Sequence, residues 1–426
     1  MKTRETTLNF CRFLRVKQHL TSLGLDDVGR AVREKLEQSE LAAQVRPGTR
    51  IALAVGSRGI SQISTIVRSC ATFWKEHGCS PFVVPAMGSH GGATAAGQAA
   101  ILAGYGIDQQ TVGCPILSSM ETISIAQTPE GIEVVADRNA YLSDAIMPIS
   151  RIKWHTNFDG TIESGLLKML SFGLGKARGA QQYHAHAVGL GLERVIRTVA
   201  GAILQTGKVL GGLAILEDAQ HAVAEVSVLE PSGMVEGEEH LLRRVKSWMP
   251  RIPIRSLDLL IVDEIGKDIS GSGMDTKVVN RGVNGEYNPW DTAPHIERIY
   301  VRGLSKLTYG NAIGMGLADI VHDRLRSEID WHSTYINALS AAGPASARLP
   351  VHFHTDRECL EWIGQTLRYS LEAPRLGWIH NSLALESLLL SEQFADELRS
   401  KESVEISQSG IPIEFNSQGD VVSPQL

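Results

Sequence analysis

The 426-residue chain has no long apolar run, no excess of basic residues and no pair of cysteines in C-x-x-C spacing. Without roughly eighteen consecutive apolar residues, no transmembrane helix is expected. The first twenty residues mix charged and apolar groups, so no secretory signal is expected either. The 41 basic and 47 acidic residues give a net charge of −6, which offers no general attraction to nucleic acid or anionic membranes. The five scattered cysteines favour neither a disulfide framework nor a cysteine metal cage. These absences predict a cytoplasmic protein with no nucleic-acid or membrane partner.

The chain does contain enough apolar residues, 43% of the total, to fill the cores of two or three domains. Short apolar runs alternate with helix-like stretches, which is typical of βαβ units on a buried sheet and predicts an α/β protein. The runs are RIALAV (50–55), PFVVPAM (81–87), GIEVVA (131–136), VLGGLAIL (209–216) and LDLLIVDEI (257–265). Helices are predicted over 94–107, with Thr94 as the N-cap, and over 236–249, ending near Pro250.

A 29-residue segment rich in Gly, Asn and Asp, residues 266–294, has little periodicity. Segments of this length are often functional or link domains, so we place a boundary near residue 290. An N-terminal α/β catalytic domain would span 1–289. A smaller α/β domain would span 290–426, and its last segment could pack back on the first. In the second domain we predict strands in 296–304 and 349–355 and helices in 311–329, 357–371 and 382–394.

Two turns that follow predicted strands carry polar residues suited to binding an anion. In VGSRGI, Ser57 and Arg58 come just after the first strand, where ligands of open α/β sheets gather. The guanidinium of Arg58 can bind a carboxylate or phosphate, although a surface arginine in an ordinary ion pair fits the same sequence.

In PAMGSHGGAT, the glycines at 88, 91 and 92 allow close backbone approach to a ligand, and His90 lies between them. A histidine there can exchange protons at neutral pH. The stretch is neither G-x-G-x-x-G nor a Walker loop, so it does not indicate a dinucleotide or ATP, and an ordinary turn stays open.

A third cluster lies between residues 151 and 189 and contains His155, Lys168, His184 and His186. On a helix, Lys168 neighbours residues three and four positions away, including Ser164 and Gly165, so it would face a small and polar space. A solvated lysine on an amphipathic helix is the alternative. The two later histidines share a face only on a strand, and without an acidic third ligand nearby a zinc site is poorly supported.

Taken together and in order, these motifs resemble the lactate racemase (LarA-like) family of nickel-pincer nucleotide-dependent 2-hydroxyacid racemases and epimerases. The matching stretches are GSRG, GSHGGAT, HTNFDGTIESGLLKMLSFGLGK, YHAH, SGSGMDTKVV and NAIGMGLADIVHDRL. The resemblance implies two α/β domains with the active site in the cleft between them.

The resemblance also implies a role for each matching residue. Lys168 would carry the cofactor, nickel pyridinium-3,5-bisthiocarboxylic acid mononucleotide, as a covalent adduct, and His184 would complete the nickel coordination. His90 and His155 would be the catalytic acid/base pair. Further expected contacts are Ser57, Gly88, Ser164 and Gly165 to the cofactor, and Arg58, Lys277 and Arg281 to the substrate.

The implied reaction inverts the hydroxyl-bearing carbon of a 2-hydroxy acid. One histidine removes the hydroxyl proton while the carbinol hydride moves to the pyridinium ring, and return of the hydride to the other face completes the inversion. A proton acceptor is needed on each face, hence two histidines. The expected partners are the small-molecule substrate and the proteins that build the cofactor; a homo-oligomer stays open.

The sequence departs from the lactate racemase pattern at Val55, Gly56 and Trp154, where an acidic residue, a histidine and a proline are common. An altered pocket wall changes which substituent is accepted, so we expect a larger polar acid, such as malate or a sugar acid, rather than lactate. Two alternatives stay open: a cofactor-free binding or regulatory protein of the same fold, and a conventional metal-dependent hydrolase that uses His184 and His186.

Overall fold

The chain forms two compact units in a computed structural model that describes residues 11–57, 59–340, 343–367, 374–422 and 424. One unit is Thr21–Met249, and the other combines Met1–Leu20 with Pro250–Leu426. Both mix helices with largely parallel sheets, which confirms the predicted α/β class. The division falls at residues 249 and 250 rather than near 290. The segment 266–294 connects two adjacent parallel strands of one sheet, and this pairing keeps both of its ends in the same unit.

The unit Thr21–Met249 contains seven strands and nine α-helices among its described residues. Its strands are β2 (Arg50–Val55), β3 (Ser80–Pro85), β4 (Thr122–Gln127), β5 (Glu133–Asp137), β6 (Ala145–Arg151), β7 (Gly212–Glu217) and β8 (Val223–Leu229). Its helices are α1 (Val28–Glu37), α2 (Ile63–Glu76), α3 (Ala95–Gly104), α4 (Gln109–Val112), α5 (Arg138–Tyr141), α6 (Leu166–Lys168), α7 (Lys176–Leu190), α8 (Leu192–Gln205) and α9 (Met234–Trp248).

The main sheet of this unit has the order β3-β2-β6-β7-β8, with parallel pairing throughout except between β7 and β8. In β2, Ala52 and Ala54 pack into one hydrophobic core, while Ile51, Leu53 and Val55 pack into another. Because alternate residues of a strand face opposite sides, the sheet is covered on both faces, and β2 is apolar almost throughout. Strands β4 and β5 form a separate antiparallel hairpin.

The two predicted helices of this unit are confirmed. Helix α3 begins after Thr94, whose hydroxyl accepts a hydrogen bond of 3.0 Å from the N–H of Gly97. Helix α9 ends at Trp248, two residues before Pro250. Proline has no N–H to continue the helix and restricts the residue before it.

The other unit contains an eight-stranded sheet of order β12-β11-β10-β9-β13-β14-β1-β15. Its strands are β1 (Arg12–Gln18), β9 (Ser256–Ile265), β10 (His295–Leu304), β11 (Ile320–His322), β12 (Val351–Phe353), β13 (Leu376–Ile379), β14 (Ser387–Ser391) and β15 (Val404–Pro412). Its helices are α10 (Thr276–Val279), α11 (Asp323–Ser327), α12 (Trp331–Ser340), α13 (Asp356–Thr366) and α14 (Ala395–Arg399). Strands β9 to β13 are parallel to one another, and β14, β1 and β15 are joined antiparallel.

Two predicted helices of this unit are wrong. Residues 311–329 form a 3₁₀ turn at Met315–Leu317, strand β11 and helix α11. The leucine-rich stretch 382–394 contains strand β14, because its backbone pairs with β1 and β13 on either side. Helix α13 is confirmed to Thr366, and residues 368–371 of that prediction lie outside the described residues. Within the described part of the chain, no helix has the length and apolar character needed to cross a membrane.

Candidate active site

Three of the predicted site residues follow three neighbouring parallel strands of the Thr21–Met249 sheet. Ser57 follows β2, His90 follows β3 and His155 follows β6. Parallel strands end at the same edge of a sheet, so these residues are gathered there. The chain runs from β2 outward to β3 and later returns to the other side of β2 with β6, so the strand order reverses between β2 and β6. Such a reversal is where open α/β sheets form a ligand-binding crevice.

The loop after β3 holds His90 near Ser57. The Ser57 hydroxyl and the Nδ1 atom of His90 form a short hydrogen bond. The backbone carbonyl of Ser57 accepts a bond of 2.7 Å from the hydroxyl of Tyr105. His90 is exposed, so its ring is within reach of a ligand. Arg58, the predicted carboxylate contact, lies outside the described residues.

The same loop packs directly on the segment that follows Lys168. The N–H of Gly88 donates to the carbonyl of Gly173 at 3.2 Å. Gly88 has φ +58°, and a Cβ at this position would lie 3.3 Å from the carbonyl oxygen of Phe172. Packing therefore accounts for the glycine, and a contact to a cofactor stays a prediction.

A backbone bridge ties together the two segments that carry His155 and Lys168. Lys153 and Ser164 exchange two backbone hydrogen bonds, of 3.0 and 3.1 Å. This bridge closes the loop 154–163, so His155 lies inside the loop, two residues after Lys153, and Lys168 lies four residues after Ser164. The predicted cofactor contact Ser164 thus has a structural part in the bridge.

The ring of His155 is oriented by its own loop. Its Nδ1 atom accepts a hydrogen bond of 3.0 Å from the backbone N–H of Asn157. A neutral imidazole whose Nδ1 accepts must carry its proton on Nε2. The ring also packs against Phe158, with 4.9 Å between ring centroids. His155 therefore rests as a proton donor at Nε2.

Lys168 lies at the end of the short helix α6, where the backbone changes to a π-helical segment, Met169–Gly173. The N–H of Leu174 donates to the carbonyl of Met169 at 2.9 Å, which is the longer i to i+5 bond of a π-helix. Single π turns of this kind are frequent at functional sites. Lys168 is half-buried, and its role as a cofactor attachment point stays a prediction.

The π segment places Phe172 against His184 of helix α7. The two rings are 4.9 Å apart and inclined by 61°. Burial lowers the pKa of His184, and the positive charge of Lys168 lowers it further. The imidazole is thus neutral at physiological pH, which is the form that binds a transition metal. Lys168 and His184, predicted to act together, are therefore electrostatic neighbours.

His186 does not join His184 as a ligand pair. Both lie on α7, where consecutive residues are rotated by roughly 100°, so residues two apart point to nearly opposite sides. His184 and His186 would share a face only on a strand, and these residues form a helix instead. The zinc hydrolase alternative therefore gains no support from this helix.

A buried glutamate that the sequence reasoning missed lies beneath Lys168. Glu238 of α9 is fully buried, and its carboxylate accepts a hydrogen bond of 3.0 Å from the N–H of Leu167, at the start of α6. Burial raises the pKa of Glu238 to about 7. Any side chain at position 165 would collide with this carboxylate, which explains Gly165 by close packing. A glutamate three positions before the apolar pair Leu241–Leu242 gives no sequence signal of burial.

The predicted substrate contacts Lys277 and Arg281 belong to the other unit, Pro250–Leu426. Lys277 is buried, with its ammonium 5.4 Å from the ring centroid of Trp290. Arg281 is 2% exposed and donates to the carbonyls of Ile296 (2.9 Å) and Glu297 (3.1 Å). A guanidinium committed to backbone carbonyls holds the loop together, so we do not assign Arg281 to the substrate.

Among the described residues, one group of metal-ligand residue types lies in the same unit: His322, Asp356 and Asp420. Arg302 binds Asp356 through two bonds, of 2.9 and 3.0 Å, and Arg324 reaches both aspartates. Two guanidinium groups already compensate these carboxylates, which makes the group a salt-bridge network rather than a cation site.

No family model and no curated protein matches the chain. Among solved structures, a crystal structure of a Thermotoga maritima protein is similar over 69% of this chain and 74% of its own, with 14% identity and a TM-score of 0.48. The lactate racemase apoprotein of Thermoanaerobacterium thermosaccharolyticum is similar over 88% of this chain and 99% of its own, with 10% identity and a TM-score of 0.49. At this level of likeness, the chemistry of the candidate site rests on its own side chains.

Proposed function

We propose that the protein is an isomerase that inverts the hydroxyl-bearing carbon of a 2-hydroxy acid with the help of a nickel-pincer nucleotide. The observation that carries the proposal is the pairing of Lys168 with His184: the π-helical segment directly after Lys168 packs Phe172 against the half-buried ring of His184, with 4.9 Å between ring centroids, and the charge of Lys168 lowers the pKa of that imidazole. Two further histidines, His90 and His155, follow β3 and β6, the strands on either side of β2, at the same edge of the sheet. An amine, a metal-binding imidazole and two proton carriers are the groups that this chemistry requires.

The residues fit the cofactor in their chemical character. Lys168 offers the amine for a covalent link. Acylation would convert the ammonium to a neutral amide and so remove the cost of keeping a charge in a half-buried position. His184 offers a neutral nitrogen ligand next to it. When bound, the nucleotide would accept the hydride of the carbinol carbon and return it.

The two acid/base histidines of the proposal differ in how they are held. The Ser57 hydroxyl contacts Nδ1 of His90, and the Asn157 N–H donates to Nδ1 of His155. With Nδ1 engaged in each ring, Nε2 is the atom that we propose meets the substrate, one to take the hydroxyl proton and the other to give a proton on the opposite face. The roles exchange for the other enantiomer.

The decisive experiment is mass spectrometry of protein produced together with the cofactor-building enzymes. We expect an adduct on the peptide that contains Lys168, with one nickel per chain, and no adduct in Lys168→Arg. Lys208→Arg is the matched control, because Lys208 bonds to Ser143 away from the site and should keep the adduct. An unmodified Lys168 with substoichiometric nickel would favour a cofactor-free binding protein instead.

The proton chemistry is tested separately with His90→Ala and His155→Ala. Each should abolish inversion while the adduct on Lys168 persists, because neither residue holds the cofactor in this proposal. Near-normal rates in either variant would refute the two-histidine mechanism. Deuterium at the carbinol carbon should stay in the product, whereas its loss to solvent would indicate carbanion chemistry.

For the substrate, we propose a polar 2-hydroxy acid larger than lactate, such as malate or a sugar acid. The support is the sequence at the end of β2, where Val55 and Gly56 replace a charged residue and a histidine. A panel of 2-hydroxy acids assayed with adduct-bearing protein tests this. Highest kcat/KM for lactate would contradict it.

A further inference from the structure

Beneath the loop that carries His90 lies a buried polar network that the proposed chemistry does not use. Its members, Lys176, Gln98 and Asp137, are each 0% exposed. They come from three elements of the unit Thr21–Met249: the first residue of α7, the middle of α3 and the end of β5. Burying such groups is costly unless their hydrogen bonds are satisfied, and a satisfied network rigidifies the backbone that it contacts.

The ammonium of Lys176 meets three oxygen atoms, as many as it has donors. It contacts the carbonyl of Pro85 at the end of β3, the Oε1 atom of Gln98 at 3.1 Å and the Oδ2 atom of Asp137 at 3.2 Å. Lys176 also has φ +53°, a left-handed backbone conformation that is uncommon for a side-chain-bearing residue. Its environment therefore fixes both its backbone and its side chain.

The charge of Lys176 dictates the orientation of the Gln98 amide. Because an ammonium can only donate, the amide oxygen must face Lys176 and the amide nitrogen must face away. That nitrogen donates to the carbonyl of Gly88 at 2.9 Å and to the carbonyl of His90 at 3.3 Å. The network thus ends on the backbone of the residue that we expect to move a proton.

The loop needs such an external hold. Gly88, Gly91 and Gly92 all have positive φ, so the loop backbone has little conformational preference of its own. The side chain of His90 is exposed, so apart from its bond to Ser57 it gives the loop little packing. Two of its carbonyls are instead held by one buried amide.

We propose that Lys176 and Gln98 are positioning residues for His90, acting through the carbonyls of Gly88 and His90. Asp137 is the counter-ion that makes the buried ammonium tolerable. It also caps α5 by accepting a bond of 2.8 Å from the N–H of Ala140. Burial lowers the pKa of Lys176 and raises that of Asp137, and each charge opposes the shift of the other. The inference that this loop is catalytic rests on the proposed function, whereas the hold on the loop does not.

The test uses Gln98→Met, which has a similar volume but cannot donate, and Gln98→Glu, which keeps an oxygen toward Lys176 and cannot donate when that ammonium holds it ionised. Gln110→Met is the matched control, because Gln110 is an exposed glutamine of the same unit. Hydrogen exchange measured on the full chain should be at least tenfold faster in the 86–94 peptide of both Gln98 variants and unchanged in the 192–205 peptide. If one variant fails to fold, the other decides.

The second readout is kinetic and uses adduct-bearing protein. We expect kcat to fall at least tenfold with KM and adduct content unchanged, and the pH dependence of kcat to shift on the limb that His90 controls. Unchanged exchange in the 86–94 peptide would overturn the hold on the loop. Faster exchange with unchanged kcat would overturn the positioning role. Should the wild-type protein invert no 2-hydroxy acid, the proposed function fails, while the exchange measurement still decides whether the network holds the loop.

Discussion

Replacing Glu238 by glutamine should change how the stability of the segment around Lys168 depends on pH. Burial raises the pKa of Glu238 from 4.5 to about 7, so the folded protein binds a proton there that the unfolded chain releases at lower pH. The sign follows from linkage. The protonated carboxyl contributes its full stability below about pH 4.5, and this contribution is lost as the pH rises through about 7. Since one pKa unit is about 1.36 kcal/mol, the loss amounts to about 3 kcal/mol.

Glutamine removes the titration but keeps an oxygen that can accept the N–H of Leu167. The opening free energy of wild type, compared with Glu238→Gln, should therefore fall by about 3 kcal/mol between pH 4.5 and pH 8. The positive charge of Arg197 favours the charged form of the same carboxylate. Because salt screens this interaction, every measurement uses the same low salt concentration. Hydrogen exchange of the 160–175 peptide, corrected for intrinsic rates at each pH, measures this difference.

The matched control is Glu236→Gln, which alters an exposed carboxylate on the same helix α9. Its opening free energy should follow that of wild type at every pH. If Glu238→Gln also follows wild type across this range, Glu238 is charged throughout, and the assignment of a neutral buried carboxyl beneath Lys168 is wrong.

Three further predictions concern stability. Gly91→Ala should lower the free energy of unfolding by at least about 2 kcal/mol, because φ is +66° and the new Cβ would lie 2.6 Å from the N atom of Gln98. Gly92→Ala is also at positive φ but faces open space, so it should lower this free energy by only about 1 kcal/mol. Equal losses of stability for the two variants in urea denaturation would contradict this prediction. Asp356→Asn should destabilise the unit Pro250–Leu426 by about 3 kcal/mol at neutral pH by leaving Arg302 poorly compensated. In wild type the same carboxylate has its pKa lowered to about 2, so its stabilising contribution is present above pH 3.8 and disappears as the pH falls toward 2. Hydrogen exchange in the 357–366 peptide measures this loss. An opening free energy that does not fall between pH 3.8 and 2 would contradict the prediction. Thr94→Ala should cost about 1 kcal/mol through loss of the cap on α3, and Thr94→Ser should restore most of it in the same denaturation assay.

The sequence alone was sufficient for the features that depend on near neighbours in the chain. The apolar run 50–55 reads as a buried strand because every residue after Arg50 is apolar, and Thr94 reads as an N-cap because its hydroxyl bonds three residues onward. The same local reasoning placed Lys168 on a helix, although it could not foresee the change to π-helical backbone at Met169.

Residues with a role set by distant parts of the chain were misjudged or missed. The leucines of β14 fit a helix equally well, and they form a strand because they pair with β13 on one side and, on the other, with β1, which is more than 350 residues away. Glu238 was missed because the backbone N–H of Leu167 that it binds lies 71 positions away in the sequence.

Composition and local spacing determined the α/β class, strands β2, β3 and β7 of the first sheet and the turn that carries His90, whereas the pairing of Lys168 with His184 came from the family resemblance and stays a prediction. Only the tertiary structure decided that Glu238 and Lys176 are buried and that Gln98 holds the His90 loop. The physical reason is that propensity and capping act over three or four residues, whereas burial and the protonation of a carboxyl or ammonium depend on groups brought together from 70 or more positions away.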